Sequence, residues 1–178
     1  MPLARRNHLP RLSETAYCGR QFVHWTMTIA GRKQGWLTPA FHAAFRTVLS
    51  DAEAKYGVVV PAYCLMPDHI HCLAAGVESS ADQLLWVRTI RRRINEALGP
   101  FGLQKQAYDH VLRPAEQGRD SFVALVHYIA QNPIRSGLVE RVEDWPFIGA
   151  CVSRLPKLDP RCPAFRDDWW TYWNSLPE

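Results

Sequence analysis

The sequence predicts an α+β domain in which an antiparallel sheet carries helices on one face. Two observations lead to this fold class. Apolar residues recur at every second position in some segments and at helical spacing in others. The two kinds of segment follow one another in the order strand, helix, strand, strand, helix, strand, helix. A chain of 178 residues with 47% hydrophobic and 21% charged residues is typical of one globular domain with a sizeable core.

The first two elements are a half-buried strand and an amphipathic helix. Between Phe22 and Ala30 apolar and polar residues alternate, which predicts one face made of Val23, Trp25, Met27 and Ile29 and another made of His24, Thr26 and Thr28. A helix is predicted to begin at Thr38-Pro39, because threonine caps helices and proline is tolerated in the first turn. Gly57 is expected to end it.

The next two elements are predicted to form a hairpin. Residues 58–65 are rich in β-branched and aromatic residues, and Pro61 within them indicates an edge strand or a bulge. Met66-Pro67-Asp68 is typical of a turn. The second strand of the hairpin then runs from His69 to Val77.

Three more elements are predicted before residue 134. Ser79 or Ser80 is expected to cap a second helix, which Gly99-Pro100 ends. A short strand is predicted around residues 108–113. Asp120-Ser121 is expected to open a third helix that ends near Pro133, because proline cannot continue a helix.

The order of the first six elements matches the split βαβ arrangement of ferredoxin-like and RRM-like folds. In that arrangement the helices cover one face of the sheet, and the other face can carry a site, here together with the third helix. We expect residues 1–178 to form a single domain. Within it, residues 1–16 are expected to be a basic flexible tail and residues 138–178 an irregular tryptophan-rich segment that packs back on the domain.

The charge distribution favours a polyanionic partner. The formal net charge is only +4, but Arg88, Arg91, Arg92 and Arg93 are clustered, and the N-terminal tail holds Arg5, Arg6 and Arg11. A solvated helix face would give the same pattern, so the cluster alone leaves nucleic acid open. Five scattered cysteines without a CxxC pair argue against a disulfide framework. No apolar run is long enough for a membrane span, and residues 1–12 lack the core of a secretory signal, so we expect a cytoplasmic protein.

His69 and His71 are candidate metal ligands. On a strand, side chains two residues apart project from the same face, so the two imidazoles are expected side by side. Imidazole binds divalent transition metals well. Two exposed histidines, or one functional and one structural histidine, would give the same pattern. Cys72 is expected on the opposite face and is not counted as a ligand.

Tyr128 and Asn132 form the second candidate group, at the end of the third helix. They are one helical turn apart and therefore expected on the same face. A tyrosine beside an apolar stripe is also a common packing residue. Because Pro133 disfavours helical geometry at the residue before it, Asn132 is expected to be the last residue of the helix or to lie just beyond it.

Taken together, three segments closely resemble the REP-associated tyrosine transposases, which are part of the single-tyrosine HUH superfamily. The segments are residues 66–71 (Met-Pro-Asp-His-Ile-His), residues 108–113 (Tyr-Asp-His-Val-Leu-Arg) and residues 128–139 (Tyr-Ile-Ala-Gln-Asn-Pro-Ile-Arg-Ser-Gly-Leu-Val). The resemblance runs in order from about residue 22 to residue 147. The two long motifs at this separation are far more specific than a histidine pair or a tyrosine alone.

The resemblance implies a role for each matching residue. His69 and His71 match the two metal-binding histidines, Tyr128 matches the nucleophile, and Asn132 matches the third ligand, with Gln131 as the fallback. The expected ion is Mg²⁺ or Mn²⁺. The sequence departs from the family at Asp68, where asparagine is usual, and at Cys72, where leucine is common; neither is expected to touch a ligand.

The implied activity is cutting and rejoining of single-stranded DNA beside hairpins of the repetitive extragenic palindromic (REP) type. The family forms a 5′-phosphotyrosyl link and releases a 3′-OH, and conservation of bond energy in that link makes ATP unnecessary. The arginines at 88, 91, 92 and 93, together with Arg113 and Arg135, are then expected to contact phosphates. Such an enzyme is expected to be nucleoid-associated.

Two other functions stay open at the level of the sequence. One is a domesticated protein that holds hairpin DNA or RNA without cutting it. The other is a metal-dependent hydrolase unrelated to DNA, which leaves Tyr128 and the arginine cluster unexplained. The sequence also leaves open a homodimer, in which the helix that carries Tyr128 serves the histidines of the partner.

Overall fold

A computed structural model describes residues 11–177. Five strands and five α-helices lie in this range. The strands are β1 (Phe22–Thr28), β2 (Val58–Met66), β3 (His69–Gly76), β4 (Tyr108–Val111) and β5 (Ile148–Cys151). The helices are α1 (Pro39–Tyr56), α2 (Gln83–Leu98), α3 (Arg119–Ala130), α4 (Asn132–Arg135) and α5 (Phe165–Ser175).

All five strands form one antiparallel sheet in the order β4-β1-β3-β2-β5. The first four strands, with α1 and α2 between them, have the order expected of a split βαβ fold. The predicted α+β fold class is therefore confirmed. Strand β5, which the sequence did not reveal, extends the sheet beyond β2.

Local signals for α1 and β2 act as predicted. The Thr38 side chain accepts a hydrogen bond from the Phe41 N–H, and Gly57 ends the helix with a left-handed backbone at φ 59°. Around Pro61, the register of β2 shifts in its pairing with β3 and also in its pairing with β5. Pro61 therefore marks a bulge and not an edge strand, because β2 lies between these two strands.

The start of α2 corrects the sequence prediction. Its N-cap is Asp82, whose carboxylate accepts from the Leu85 N–H, and not Ser79 or Ser80. Aspartate caps a helix as well as serine does, so the cap signal was present but was placed a few residues too early.

The sheet separates two apolar cores. Helices α1 and α2 pack on one face, against the alternate residues of β1 and β3 that include Trp25 and Cys72. Helices α3 and α5 pack on part of the other face, where Phe122 stacks on Trp169 at 5.4 Å between ring centroids. We call these the α1/α2 face and the α3/α5 face. Cys72 lies on the face opposite the histidines, as predicted.

The two terminal segments differ from the expectation of a flexible tail and an irregular segment. Residues 138–178 include strand β5 and helix α5, so the expected irregularity is wrong for these elements; the tryptophans of α5 supply its buried stripe. The first ten residues, with Arg5 and Arg6, lie outside the described residues. The rest of the predicted tail touches the domain, since Arg11 pairs with Asp109 at 3.0 Å. No described helix is long and apolar enough to span a membrane.

Candidate active site

His69 and His71 lie side by side on the α3/α5 face. Strand β3 holds both, and it is the central strand of the sheet, paired with β1 and β2. The two Nε2 atoms are 3.0 Å apart and the rings meet edge to face. The predicted sharing of a face is confirmed. A central strand is a rigid support for the two imidazoles, because hydrogen bonds fix its backbone on both sides.

The 3.0 Å between the two Nε2 atoms is short enough for a hydrogen bond between the rings. A divalent ion held by both nitrogens would take the place of the shared proton.

Asp68 orients His69. Its Oδ1 lies 2.6 Å from Nδ1 of His69, so the ring donates its Nδ1–H to the carboxylate and keeps Nε2 as a lone-pair donor. Arg32 holds the other carboxylate oxygen at 2.7 Å. These contacts lower the pKa of Asp68 despite the burial that opposes them. The expectation that Asp68 touches no ligand is wrong, because a residue next to a ligand in a tight turn can fold back on it.

His24 supports His71 in the same manner and was missed by the sequence analysis. Its Nε2 lies 3.0 Å from Nδ1 of His71, and Thr26 Oγ1 lies 3.3 Å from that same nitrogen. His24 is on β1, which pairs with β3, and it is buried. A signal was available, because His24 and Thr26 occupy the polar face that the alternation of β1 predicts.

Burial keeps His71 and His24 neutral. Burial lowers the pKa of His71 to about 3, assisted by the nearby His24, His69 and Arg135. Burial also lowers the pKa of His24 to about 4. A neutral imidazole offers a lone pair to a cation, whereas a protonated one repels it. Both imidazoles are therefore uncharged at neutral pH.

Tyr128 lies beside the histidine pair at the end of α3. Its side chain is 49% exposed, and its ring centroid is 6.5 Å from that of His71. The Arg135 guanidinium stacks on the ring at 3.9 Å. The structure thus brings Tyr128 next to the two histidines within a single chain, with a cation beside the aromatic ring.

Asn132 lies close to Tyr128 but turns its amide toward its own helix. Its Nδ2 donates to the Tyr128 and Ile129 carbonyls, and its Oδ1 accepts from Arg135 at 2.9 Å. No hydrogen bond in the described part of the chain joins Asn132 or Gln131 to the histidines. Among residues 11–177, no cluster of three or more His, Cys, Asp or Glu side chains is arranged to hold a metal ion.

The break between α3 and α4 explains this position. Pro133 has no N–H and cannot continue α3, so the helix ends at Ala130 and Asn132 begins the short α4. Asn132 therefore lies just beyond the third helix, as the sequence predicts. It is buried at 8% exposure, whereas Tyr128 is half exposed.

The predicted DNA-contacting arginines fall into two groups. Arg135 lies at the histidine pair, and Arg113 is exposed just after β4. The α2 arginines lie on the helix that packs on the α1/α2 face, away from the histidines. Two of them are paired with acids, Arg93 with Asp51 at 2.8 Å and Arg92 with Glu96 at 3.7 Å. Arg91 is partly buried and donates to the Gln104 carbonyl, whereas Arg88 is exposed.

Sequence comparison identifies two curated relatives. The chain is 26% identical over 124 residues to the REP-associated tyrosine transposase of Escherichia coli (strain K12), covering 69% of this chain and 72% of that protein. It is 25% identical over 160 residues to a Haemophilus influenzae protein provisionally given the same name, covering 82% and 85% of the two. No protein-family model matches the chain.

Structure comparison finds the same group. A REP-associated tyrosine transposase bound to a REP hairpin superposes with a TM-score of 0.66 at 24% identity, over 80% of this chain and 81% of that chain. This chain therefore resembles the REP-associated tyrosine transposases in sequence and in fold. A bacterial tRNA(His) guanylyltransferase (Thg1)-like protein in complex with GTP gives a TM-score of 0.51 at 12% identity, over 93% and 96%. At these identities the structural matches show the fold alone.

Proposed function

We propose that this chain is a metal-dependent endonuclease and strand transferase that acts on single-stranded DNA beside REP-type hairpins. Tyr128 is the proposed nucleophile. His69, His71 and Asn132, with Gln131 as the alternative to Asn132, are the proposed ligands of Mg²⁺ or Mn²⁺. The protein is expected to work on the chromosome in the cytoplasm.

One observation carries this proposal. The Nε2 atoms of His69 and His71 are 3.0 Å apart, and the half-exposed ring of Tyr128 lies 6.5 Å from the ring of His71. The proposed nucleophile and the proposed ligands are therefore adjacent on one face of the sheet. A structural tyrosine has no need of two oriented imidazoles beside it. The sequence similarity to REP-associated tyrosine transposases supports the same reading.

The proposed chemistry is a reversible transesterification. Tyr128 Oη gives up its proton and attacks phosphorus, the bond between phosphorus and the 3′ oxygen breaks, and that oxygen takes up a proton to become a free 3′-OH. The 5′ phosphate is then esterified to Tyr128. Attack of a 3′-OH on this ester reverses the step and rejoins a strand, so no nucleoside triphosphate is consumed.

The residues present fit a divalent ion in part. A bound ion polarises the scissile phosphate and offsets the charge that develops on its oxygens. His69 and His71 would hold it through Nε2, oriented by Asp68 and His24. The Asn132 Oδ1, now bound by Arg135, must turn toward the histidines to complete the set.

Positive charge at the site suits a DNA strand. Arg135 lies against Tyr128 and Arg113 is exposed at the end of β4, so both are proposed phosphate contacts. Arg88, Arg91, Arg92 and Arg93 on α2 are proposed contacts to the duplex part of a hairpin. The structural neighbour is itself bound to a REP hairpin.

The decisive experiment is a search for a covalent adduct. Labelled hairpin oligonucleotides with single-stranded flanks are incubated with the full chain and Mn²⁺ and resolved on a denaturing gel. We expect a slower protein band that carries the label, lost in Tyr128→Phe and lost in EDTA. Tyr108→Phe is the matched control, because Tyr108 is an equally exposed tyrosine on the same face. An adduct that persists in Tyr128→Phe refutes the nucleophile assignment.

A non-cutting hairpin-binding protein is the second candidate. One observation favours it: Asn132 bonds to Arg135 and to backbone carbonyls instead of to the histidine side. This candidate predicts tight hairpin binding that is equal with Mn²⁺ and with EDTA and never yields an adduct. The same gel, run beside a binding titration, separates the two functions.

The question of one chain or two has its own test. Because Tyr128 lies at the histidine pair of its own chain, we expect a site complete within one protomer. A mixture of Tyr128→Phe and His71→Ala proteins is then expected to form no adduct. Recovery of adduct in the mixture would show that a dimer joins the tyrosine of one protomer to the histidines of the other.

A further inference from the structure

Two exposed aromatic side chains stand out in this chain. It has seven tryptophans, six tyrosines and seven phenylalanines, all within the described residues. Only Tyr108 at 56% and Tyr128 at 49% are exposed, and the other aromatic residues are buried or half-buried. Tyr128 is the proposed nucleophile. The proposed reaction gives no reason for the exposure of Tyr108.

Tyr108 shares a face and a row with the histidine site. On antiparallel strands, residues that pair directly point to the same face. Tyr108 pairs with Thr26, and Thr26 pairs with His71. Tyr108 is therefore in the same cross-strand row as His71, two strands away, at a distance of roughly 10 Å. Both exposed aromatic residues lie on the accessible part of one surface.

The fold does not use the Tyr108 side chain. Strand β4 is anchored through its other face, where Asp109 binds the Tyr17 hydroxyl at 2.5 Å and Arg11 at 3.0 Å. Val111 packs on the same side, against the α1/α2 core. Among the described residues, the Tyr108 side chain makes no hydrogen bond or ring contact. A large apolar ring held outward on an anchored strand is available for a ligand.

We infer that Tyr108 stacks against an unpaired base of the DNA strand, next to the phosphate that Tyr128 attacks. This inference rests on the proposed function and assigns part of its substrate site. Every base has a π-face, so a tyrosine ring binds unpaired nucleotides of any sequence. His110 lies on the same face, two residues after Tyr108. The half-buried side chains of Thr26 and Thr28 are polar and lie between Tyr108 and the histidines.

The position of Tyr108 favours a nucleic acid strand over a second copy of this chain. Tyr108 lies in the cross-strand row of His71, whose ring is 6.5 Å from that of Tyr128, so a strand held at the proposed nucleophile is within reach of it. Strand β4 also has only four residues, which gives a second copy a short edge to pair with.

The test measures binding without cleavage. The full chain is titrated in EDTA against a labelled DNA hairpin that carries oligothymidylate flanks on both sides, and against the same hairpin with abasic flanks. The abasic flanks keep the phosphates and remove the bases. Wild type, Tyr108→Ala and Tyr108→Phe are compared, with Leu85→Ala as a control at an exposed residue of α2.

We expect Tyr108→Ala to weaken binding of the thymidine-flanked hairpin by about 5- to 150-fold, the range for loss of one stacked base. Its affinity for the abasic hairpin should equal that of wild type, and Tyr108→Phe should retain the preference for bases. Equal affinities of Tyr108→Ala and wild type for the thymidine-flanked hairpin overturn the inference, as does a wild type that does not distinguish the two hairpins. A Tyr108→Ala chain that sediments at a lower mass with unchanged DNA binding assigns the surface to a second copy instead.

This readout is independent of the proposed chemistry. If wild type prefers bases through Tyr108 but never forms an adduct with Mn²⁺, the stacking site stands and the endonuclease proposal fails. If the adduct forms in wild type and Tyr108→Ala shows no loss in the metal-free titration, the endonuclease stands and the stacking site fails.

Discussion

The two faces of the sheet follow different rules although the same strands build both. On the α1/α2 face, alternate residues of β1 such as Trp25 and Met27 are fully buried under two amphipathic helices. On the α3/α5 face, the intervening residues His24 and Thr26 belong to a polar cluster with His71. One strand therefore specifies the fold with one set of positions and the site with the other.

The difference appears most clearly in what each face buries. The buried polar side chains among residues 11–177 are His24, His71, Gln83 and Asn132. Three of these four lie at the candidate site. Burying a polar group costs free energy unless it is hydrogen-bonded, so a fold tolerates such a cluster where it serves a function. The fourth, Gln83 of α2, donates to the Gln21 carbonyl and accepts from the Trp25 indole N–H.

The strongest test of this difference between the two faces is to remove a histidine from the polar cluster. We expect His71→Ala to abolish both Mn²⁺ binding and adduct formation, a larger effect than the about 10–100-fold typical of residues that only support a ligand. Isothermal titration with Mn²⁺ and the adduct gel measure the two effects.

His110→Ala is the matched control for His71→Ala. It removes a histidine from the same face, on edge strand β4 rather than central strand β3. We expect it to bind Mn²⁺ as wild type does. If His110→Ala loses as much Mn²⁺ affinity as His71→Ala, the ion is not held by the central pair and the site assignment is wrong.

A second prediction tests whether the α3/α5 face is also a structural core. Trp169 is fully buried and stacks on Phe122, so we expect Trp169→Ala to lower the free energy of unfolding by about 3–5 kcal/mol. Trp86→Ala, at a fully buried tryptophan of α2, should cost about the same. Urea denaturation of both variants measures this. A much smaller loss for Trp169→Ala would mean that α5 is only loosely docked.

The first six elements could be predicted from sequence because their signals are local. Alternation in β1, the Thr38 cap and Gly57 each act through near neighbours, so periodicity and turn chemistry find them. Strand β5 and helix α5 have no comparable signal. A strand of four residues is too short to show a period, and it forms only because β2 offers an edge that is distant in sequence.

The residues of the candidate site also differ in whether a local sequence signal could predict them. His69 and His71 could be placed on one face because both lie on one strand. Their supports could not be assigned, since His24 reaches His71 across a strand pairing and Asp68 reaches His69 by folding back from a turn. The turn of the Asn132 amide toward Arg135 depends on side-chain rotamers, which sequence patterns do not report.

A third prediction tests whether Mn²⁺ affinity depends on how Asp68 orients the His69 ring. Asp68→Ala should weaken Mn²⁺ binding by about 10–100-fold, because the His69 ring loses the acceptor that fixes its tautomer. Asp68→Asn keeps an oxygen acceptor and should retain most of the affinity. Mn²⁺ titration of both variants, each checked for an unchanged melting temperature, tests this. Equal affinities for Asp68→Ala and wild type would reduce Asp68 to a partner of Arg32.

The smallest expected effect concerns the arginines of the two faces. Each phosphate contact contributes about one unit to the slope of log affinity against log salt concentration. We expect Arg113→Ala, at the end of β4, to reduce the slope for a hairpin by about one unit. Arg88→Ala should reduce it by about the same amount, because α2 is proposed to contact the duplex part of the hairpin. Titrations across a salt series measure both variants. An unchanged slope for Arg88→Ala would exclude α2 from the DNA interface.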